Sequence, residues 1–294
     1  ANNIEALAFK GPALAQMAYG NITMRQFGDL DVLVDEKDAY RAGGLMSEHG
    51  HRPLLPLKIL DNAICLDTAK DFSLISESGG VHTELHWRLF EKKYNISLLS
   101  CMVDKKCQTV RINGKEIRTL QNELLLVYLC LHGAKHAFKR IEWICDIDRL
   151  IRNSEIDWEA ALKTANRSHS KRSFYLALSL AYHLLHTALP SEILKRIDTD
   201  EIRALQAMTL KQMAEKKNER SDFEKNRETF FYQAKLFDNT SDMIRFYLST
   251  FFRISTNDCQ TFVLPEKLKF LYIFLRPIRL ASSYIRRLFV KREA

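Results

Sequence analysis

Apolar and polar positions alternate over short stretches in the first 120 residues and recur at helical spacing after that. Ile4 to Phe9 and Asp29 to Val34 read as strands, and Pro12 stands where a helix continuing through Tyr19 would start. The stretch DEKDAYRAGGLMSEHG, residues 35–50, has acidic residues at its front, apolar positions at helical spacing and Gly50 at its end, which predicts a helix. Extended pieces follow near Ala63 to Asp67, Phe72 to Ser76 and Val81 to Trp87, with Gly79-Gly80 as a hairpin turn. A further hairpin, CQTVRINGKEIRTL, turns at Asn113-Gly114. From Asn122 onward the spacing predicts helices at Glu123–Phe138, Glu142–Arg152, Trp158–Arg167, Ser173–His186, Asp200–Lys217, Asp242–Phe252 and Glu266–Arg287. No repeat period and no low-complexity tract interrupts this order.

Glycine divides the chain in the same place. All 10 glycines fall at or before Gly133, and none follows. Turns need glycine at left-handed positions, whereas helix interiors exclude it. The expected fold class is therefore α+β: an α/β part over residues 1–120, then an all-helical part over 121–294.

Composition narrows the class. With 46% hydrophobic and 27% charged residues in 294, the chain has the balance of a globular protein with a large core. Uncharged apolar runs such as Phe270 to Leu275 are far too short for a bilayer. The opening ANNIEALAFK has neither the basic nor the long apolar region of a signal peptide. Cys65, Cys101, Cys107, Cys130, Cys145 and Cys259 form no CxxC pair, so reduced core cysteines of a cytoplasmic protein are expected, without structural zinc. The net charge of +8 is uneven, since Pro265 to Ala294 holds eight Lys/Arg against two Glu.

Candidate chemistry centres on FGDLDVLVDE, residues 27–36. Asp29 and Asp31 stand at i and i+2 of a strand, so they project from one face and repel each other. A solvated turn before a buried strand is one reading, and a divalent cation held between the two is the other. Upstream, Lys10 and Gly11 close the first strand and a helix amino terminus follows at once, an arrangement that attracts phosphate. Downstream, VHTELHW alternates so that His82, Glu84 and His86 share one face. Three acidic groups on adjacent strands beside a phosphate-binding turn match a two-metal phosphoryl- or nucleotidyl-transfer site.

Taken together, KGPALA, Arg25, GDLDVLV, ELHWRLF, LHGAKH, CDIDRL and LPEKLKFLYIFLRPIRL resemble the bacterial family of uncharacterised nucleotidyltransferases with a DNA polymerase beta-like fold, over nearly the whole chain. The resemblance implies Gly11 at the phosphate turn, Asp29 and Asp31 as the metal pair and Glu84 as the third acidic ligand and general base. It implies two Mg2+ ions as cofactors and an NTP as substrate. Nucleoside monophosphate would pass to an acceptor hydroxyl on a small molecule, a protein or an RNA end. The chain departs from the pattern at Lys10-Gly11-Pro12, where relatives often carry small or hydroxyl residues. Lys10 and Arg25 would supply phosphate contacts instead of the usual serine.

Other candidates carry alternatives. His132 and His136 share a helix face beside Lys135, and contact with nucleotide or acceptor is expected of all three; a metal site completed by Asp146 or Glu142 is the weaker reading. His86 and Arg88 either contact phosphate or are an edge histidine and a solvated arginine. His183 and His186 are expected to be structural. The basic, aromatic tail either covers the core as two helices separated by Pro277 or binds RNA or an anionic membrane surface. A nucleotide-binding module without transfer activity is the alternative function. Substituting the repelling aspartates is expected to spare the fold, and to raise the melting temperature of the metal-free protein.

Overall fold

A computed structural model describes residues 3–57, 66–67, 69–94, 107–214, 222–254, 258, 268, 271–272, 274–280 and 282. The sequence opens with strand β1 (Ala6–Ala8), helix α1 (Gly11–Tyr19), strand β2 (Asp29–Val34) and helix α2 (Ala39–Glu48). Strands β3 (His51–Pro53), β4 (Asp71–Ser76) and β5 (His82–His86) complete a sheet of order β1-β2-β5-β4-β3. The β2–β5 pair is parallel and the other pairs are antiparallel, so the sheet is mixed. Strands β6 (Cys107–Ile112) and β7 (Lys115–Leu120) form the predicted hairpin, with Asn113 and Gly114 both at positive φ in its turn.

Successive residues of β2 serve opposite faces of the sheet. Leu33 packs with Leu7, Phe9 and Leu14 in one core, while Val34 packs with Ala39, Phe72, Leu74, Leu85 and Trp87 under α2 in another. The first core runs on without a break into the helices, because helix α3 (Asn122–Lys135) presents Leu124 to Leu131 as an unbroken buried run. A helix apolar on every side must be surrounded. Helix α3 is flanked by α4 (Glu142–Asn153), α5 (Trp158–Arg167) and α6 (Lys171–Leu185), with α7 (Ser191–Ile197) and α8 (Asp200–Ala214) on α6. Each fully buried leucine in this core contributes about 1.5–3 kcal/mol.

Two helices had no counterpart in the apolar spacing: α7 and α9 (Asp222–Lys235). The first is short and the second carries strongly polar residues at its start, so neither shows a clear stripe. Helix α10 (Thr240–Phe252) follows, capped by the Asn239 side chain on the Asp242 amide at 2.8 Å. Residues 274–280 are helical throughout, so Pro277 does not separate two helices there. Arg276 and Arg279 both pair with Asp258. The rest of the basic tail, residues 63–65 of the expected extended piece, the end of the Asp200–Lys217 stretch, and Cys65, Cys101 and Cys259 lie outside the described residues. Cys107, Cys130 and Cys145 are free thiols. Among the described residues, no helix is long and apolar enough to cross a membrane.

Candidate active site

The turn between β1 and α1 rests directly on β2. Gly11 has φ +54°, and a Cβ on it would stand 3.0 Å from the Asp29 carbonyl oxygen, so glycine is required for both its backbone angle and its close approach. The Phe9 amide donates to the Asp31 carbonyl at 3.3 Å, which fixes the strand before the turn. Lys10 caps α1 without a side-chain hydrogen bond, and Pro12 has no amide hydrogen to satisfy.

The parallel register of β2 and β5 sets Asp31 opposite Glu84 and Asp29 opposite His82. Partners in register project from the same face, and His86 follows Glu84 on that face two residues later. His86 Nε2 lies 3.0 Å from Asp31 Oδ1 and 3.1 Å from Glu84 Oε2. Both oxygens only accept, so Nε2 carries the proton that bridges them. The Lys10 Nζ reaches the same Asp31 Oδ1 at 2.6 Å. Asp31 is 1% exposed, and its other oxygen, Oδ2, is buried with no hydrogen-bond partner among the described residues.

These contacts set the charges. Burial alone would push the Asp31 carboxyl up, and the His86 bond and the Lys10 ammonium more than reverse this, holding it below the usual range. Glu84 is held low chiefly by its bond from His86. Burial pulls the Lys10 ammonium down, but Tyr128 and Asp31 raise it further, so it stays charged.

The pair opens on a cleft of about 710 Å³ whose far wall is built by α3 and α4. Lys10, Gly11, Arg25, Asp29, Asp31 and Glu84 line it on the sheet side. His132, Lys135 and His136 line the helical side. Nine of the eleven residues singled out from the sequence therefore face one space.

The other two do not. His86 lies beneath the carboxylates, 1% exposed, and orients them rather than facing the cleft. Arg88 is 2% exposed; its Nη1 donates to the carbonyls of Leu66, Asp67 and Ala69, and its Nη2 pairs with Glu36. These partners hold Arg88 on the loop before β4, away from the cleft, so neither a phosphate contact nor a solvated arginine describes it.

Cleft residues on both sides are also tied down. Arg25 donates from Nε and Nη2 to both oxygens of Asp146 at 2.8 and 3.0 Å, and the Tyr19 hydroxyl adds a bond at 2.9 Å. Lys135 pairs with Glu91 at 2.8 Å. His132 and His136 stack 5.0 Å apart, with the Trp143 ring 5.3 and 5.5 Å from them. Burial, with Lys135 and other cations nearby, lowers both imidazoles, His136 to about 4, so they face the cleft neutral. Asp146 is engaged by Arg25, and neither histidine belongs to a metal-like cluster among the described residues, which removes the weaker metal reading.

Among the lining residues that sequence reasoning missed are Lys70, Tyr128 and Trp143. Tyr128 had a signal, because Tyr128, His132 and His136 recur every four residues and fall on one helix face. Lys70 had none; it precedes a strand, and only the fold brings it near Glu84, where burial lowers its ammonium to about 8.

The donor set suits a hard divalent cation. Asp31, Glu84 and His86 form a close cluster, in which the two carboxylates are the oxygen donors and His86 Nε2 holds them together. The partnerless, buried Asp31 Oδ2 is an acceptor oriented for a positive charge, as oxygen-seeking cations require. Asp29 lines the cleft outside this tight group and makes no side-chain hydrogen bond or ion pair among the described residues. The Asp31 carboxylate is met by the Lys10 ammonium and by a hydrogen bond from His86, partners that an account of two repelling aspartates leaves out.

The family described as "Uncharacterised nucleotidyltransferase" matches residues 1–186. The crystal structure of an antigenic nucleotidyltransferase-like protein from Paracoccidioides brasiliensis is similar at 16% identity, with a TM-score of 0.38, covering 66% of this chain and 89% of that one. No curated protein matches the chain.

Proposed function

The chain belongs to the uncharacterised nucleotidyltransferase family, and from that premise we propose that it transfers a nucleoside monophosphate from an NTP to an acceptor hydroxyl, with magnesium as cofactor. The observation that carries the reading is the register of Asp31 against Glu84 at the floor of a cleft entered by the α1 amino terminus. We assign the transferase core to residues 1–120 and the far wall of the cleft to the helical part, 121–294.

Each residue then has a task. The leading amides of α1, held against β2 by Gly11, receive the triphosphate together with the Lys10 ammonium. Asp29, Asp31 and Glu84 would hold magnesium, which supplies charge neutralisation at the phosphates and acidifies the acceptor hydroxyl. The acceptor oxygen bonds to the α-phosphorus and the bond to the β-phosphate bridge breaks, so pyrophosphate leaves. Glu84, part-exposed at the cleft, takes the hydroxyl proton. His86 keeps both carboxylates in place through its Nε2 proton. The neutral imidazoles and Trp143 present flat surfaces on the opposite wall to nucleotide or acceptor.

The test is pyrophosphate release and label transfer from each α-labelled NTP with magnesium, across sugars, aminoglycosides, proteins and RNA ends. Transfer that disappears in Asp29→Ala supports the reading. Magnesium-dependent NTP binding with no turnover on any acceptor class supports a binding module in its place.

A further inference from the structure

Resting on the reading above, we infer that the Lys10 ammonium permanently fills one of the two cation positions, so that the site takes a single divalent ion. Lys10 Nζ stands 2.6 Å from Asp31 Oδ1, an oxygen that also receives His86 Nε2. Asp31 Oδ1 therefore has two donors, and a second metal could bind there only by displacing both. Asp31 Oδ2 is buried and has none among the described residues. One carboxylate thus offers one closed and one open acceptor.

The ammonium is a built part of the site. Its side chain is 15% exposed and that of Asp31 is fully buried, so withdrawing Lys10 would leave a desolvated carboxylate half paired. Gly11 and Pro12 fix the backbone that carries it, at the point where the chain rests on the Asp29 carbonyl. Charge agrees with this arrangement. Asp29, Asp31 and Glu84 present three carboxylates to the cleft and Lys10 and Lys70 two ammoniums, which leaves little negative charge to hold a second divalent cation. A point charge on a lysine stem differs from a metal in one respect: it cannot polarise a bound water or hydroxyl by coordination. The open place at Asp31 Oδ2 and Glu84 is accordingly where the divalent ion acts, and Lys10 contributes charge alone.

The experiment uses the full chain with Mn2+ and a non-hydrolysable NTP, read by electron paramagnetic resonance. Two ions in one such site lie about 3.5–4 Å apart and give an exchange-coupled spectrum. The native chain is expected to bind Mn2+ with an uncoupled, single-ion spectrum. Lys10→Met is expected to gain one further Mn2+ per chain and the coupled spectrum, and Lys10→Arg to retain the single-ion form. A coupled pair in the native chain overturns the inference while leaving the cation site intact, and this arm stands even if Lys10→Met fails to fold. No protein-bound Mn2+ in the native chain removes the cation site itself, and with it the functional reading.

Discussion

Asp31 and Glu84 face each other across the only parallel strand pair of the described sheet, and the proton on His86 Nε2 is shared between them. Their closeness is thus fixed by backbone register and by a buried bridge. The two aspartates of the Asp-x-Asp pair, by contrast, stand in different environments although they share a strand face.

That difference predicts unequal costs. Asp31→Ala strands the Lys10 ammonium and removes an acceptor from His86, so it is expected to destabilise the metal-free protein by about 3–5 kcal/mol. Asp29→Ala breaks no side-chain bond among the described residues and is expected to change stability by less than about 0.5 kcal/mol. Both are expected to abolish transfer. Urea denaturation of the two variants checks the contrast, and equal stabilities would contradict the role given to Lys10.

Gly11 allows a second prediction. Alanine there meets a left-handed backbone angle and a carbonyl oxygen 3.0 Å from its Cβ, so α1 must shift away from β2. The strain of a non-glycine residue at such an angle is about 1–3 kcal/mol. Gly11→Ala is expected to lower the urea midpoint accordingly, while Gly20→Ala, strained by φ +73° but with nothing within 4 Å, is expected to cost less.

The α+β nucleotidyltransferase-like fold was readable because its signals are local. Gly79-Gly80 and Asn113-Gly114 fix the hairpins, and the Leu124–Leu131 run can only be a buried helix. Strand alternation and order put Asp29, Asp31 and Glu84 on one face of the sheet, where the close cluster is Asp31, Glu84 and His86. What escaped was what depends on depth rather than period. Alternation puts His86 on the Glu84 face, but it cannot say that the ring lies under the carboxylates. Arg88 carries the charge of a phosphate ligand, yet three carbonyls of a preceding loop claim it. Lys70, just before β4, meets the site only because β4 pairs with β5. The unequal settings of the two aspartates escaped for the same reason: the partners of Asp31 come from residues 10 and 86.

His136 gives a pH dependence. Its ordinary value of 6.5 is lowered to about 4 in the folded chain, first by burial and then by Lys135. Between 6.5 and 4 the unfolded chain binds a proton that the folded chain refuses, so stability falls as pH drops through this window and levels off below 4. His136→Gln is expected to flatten part of that slope. The imidazole resonance of His136 in a histidine-resolved NMR titration is expected to move near pH 4; a midpoint near 6.5 would contradict the burial of its ring against His132 and Trp143.

The last prediction concerns the tie between sheet side and helical wall. Arg25 and Asp146 are 121 residues apart in sequence and form a two-pronged pair, with the Tyr19 hydroxyl on the same carboxylate. Asp146 is 1% exposed, so it cannot recover its solvation if the guanidinium leaves. Removing either partner alone therefore leaves a stranded charge, whereas removing both leaves a smaller, apolar gap. A double-mutant cycle with Arg25→Met and Asp146→Leu separates these cases, because its coupling energy excludes what each side chain does elsewhere. Charge-assisted bidentate pairs of this kind are expected to couple by about 1.5–3 kcal/mol. Arg25→Lys is expected to recover only part of the loss, since an ammonium cannot hold both oxygens in the guanidinium geometry. Coupling below about 0.5 kcal/mol would mean that the pair is a solvent-screened contact, and that the cleft wall is held in place by the Leu124–Leu131 core alone.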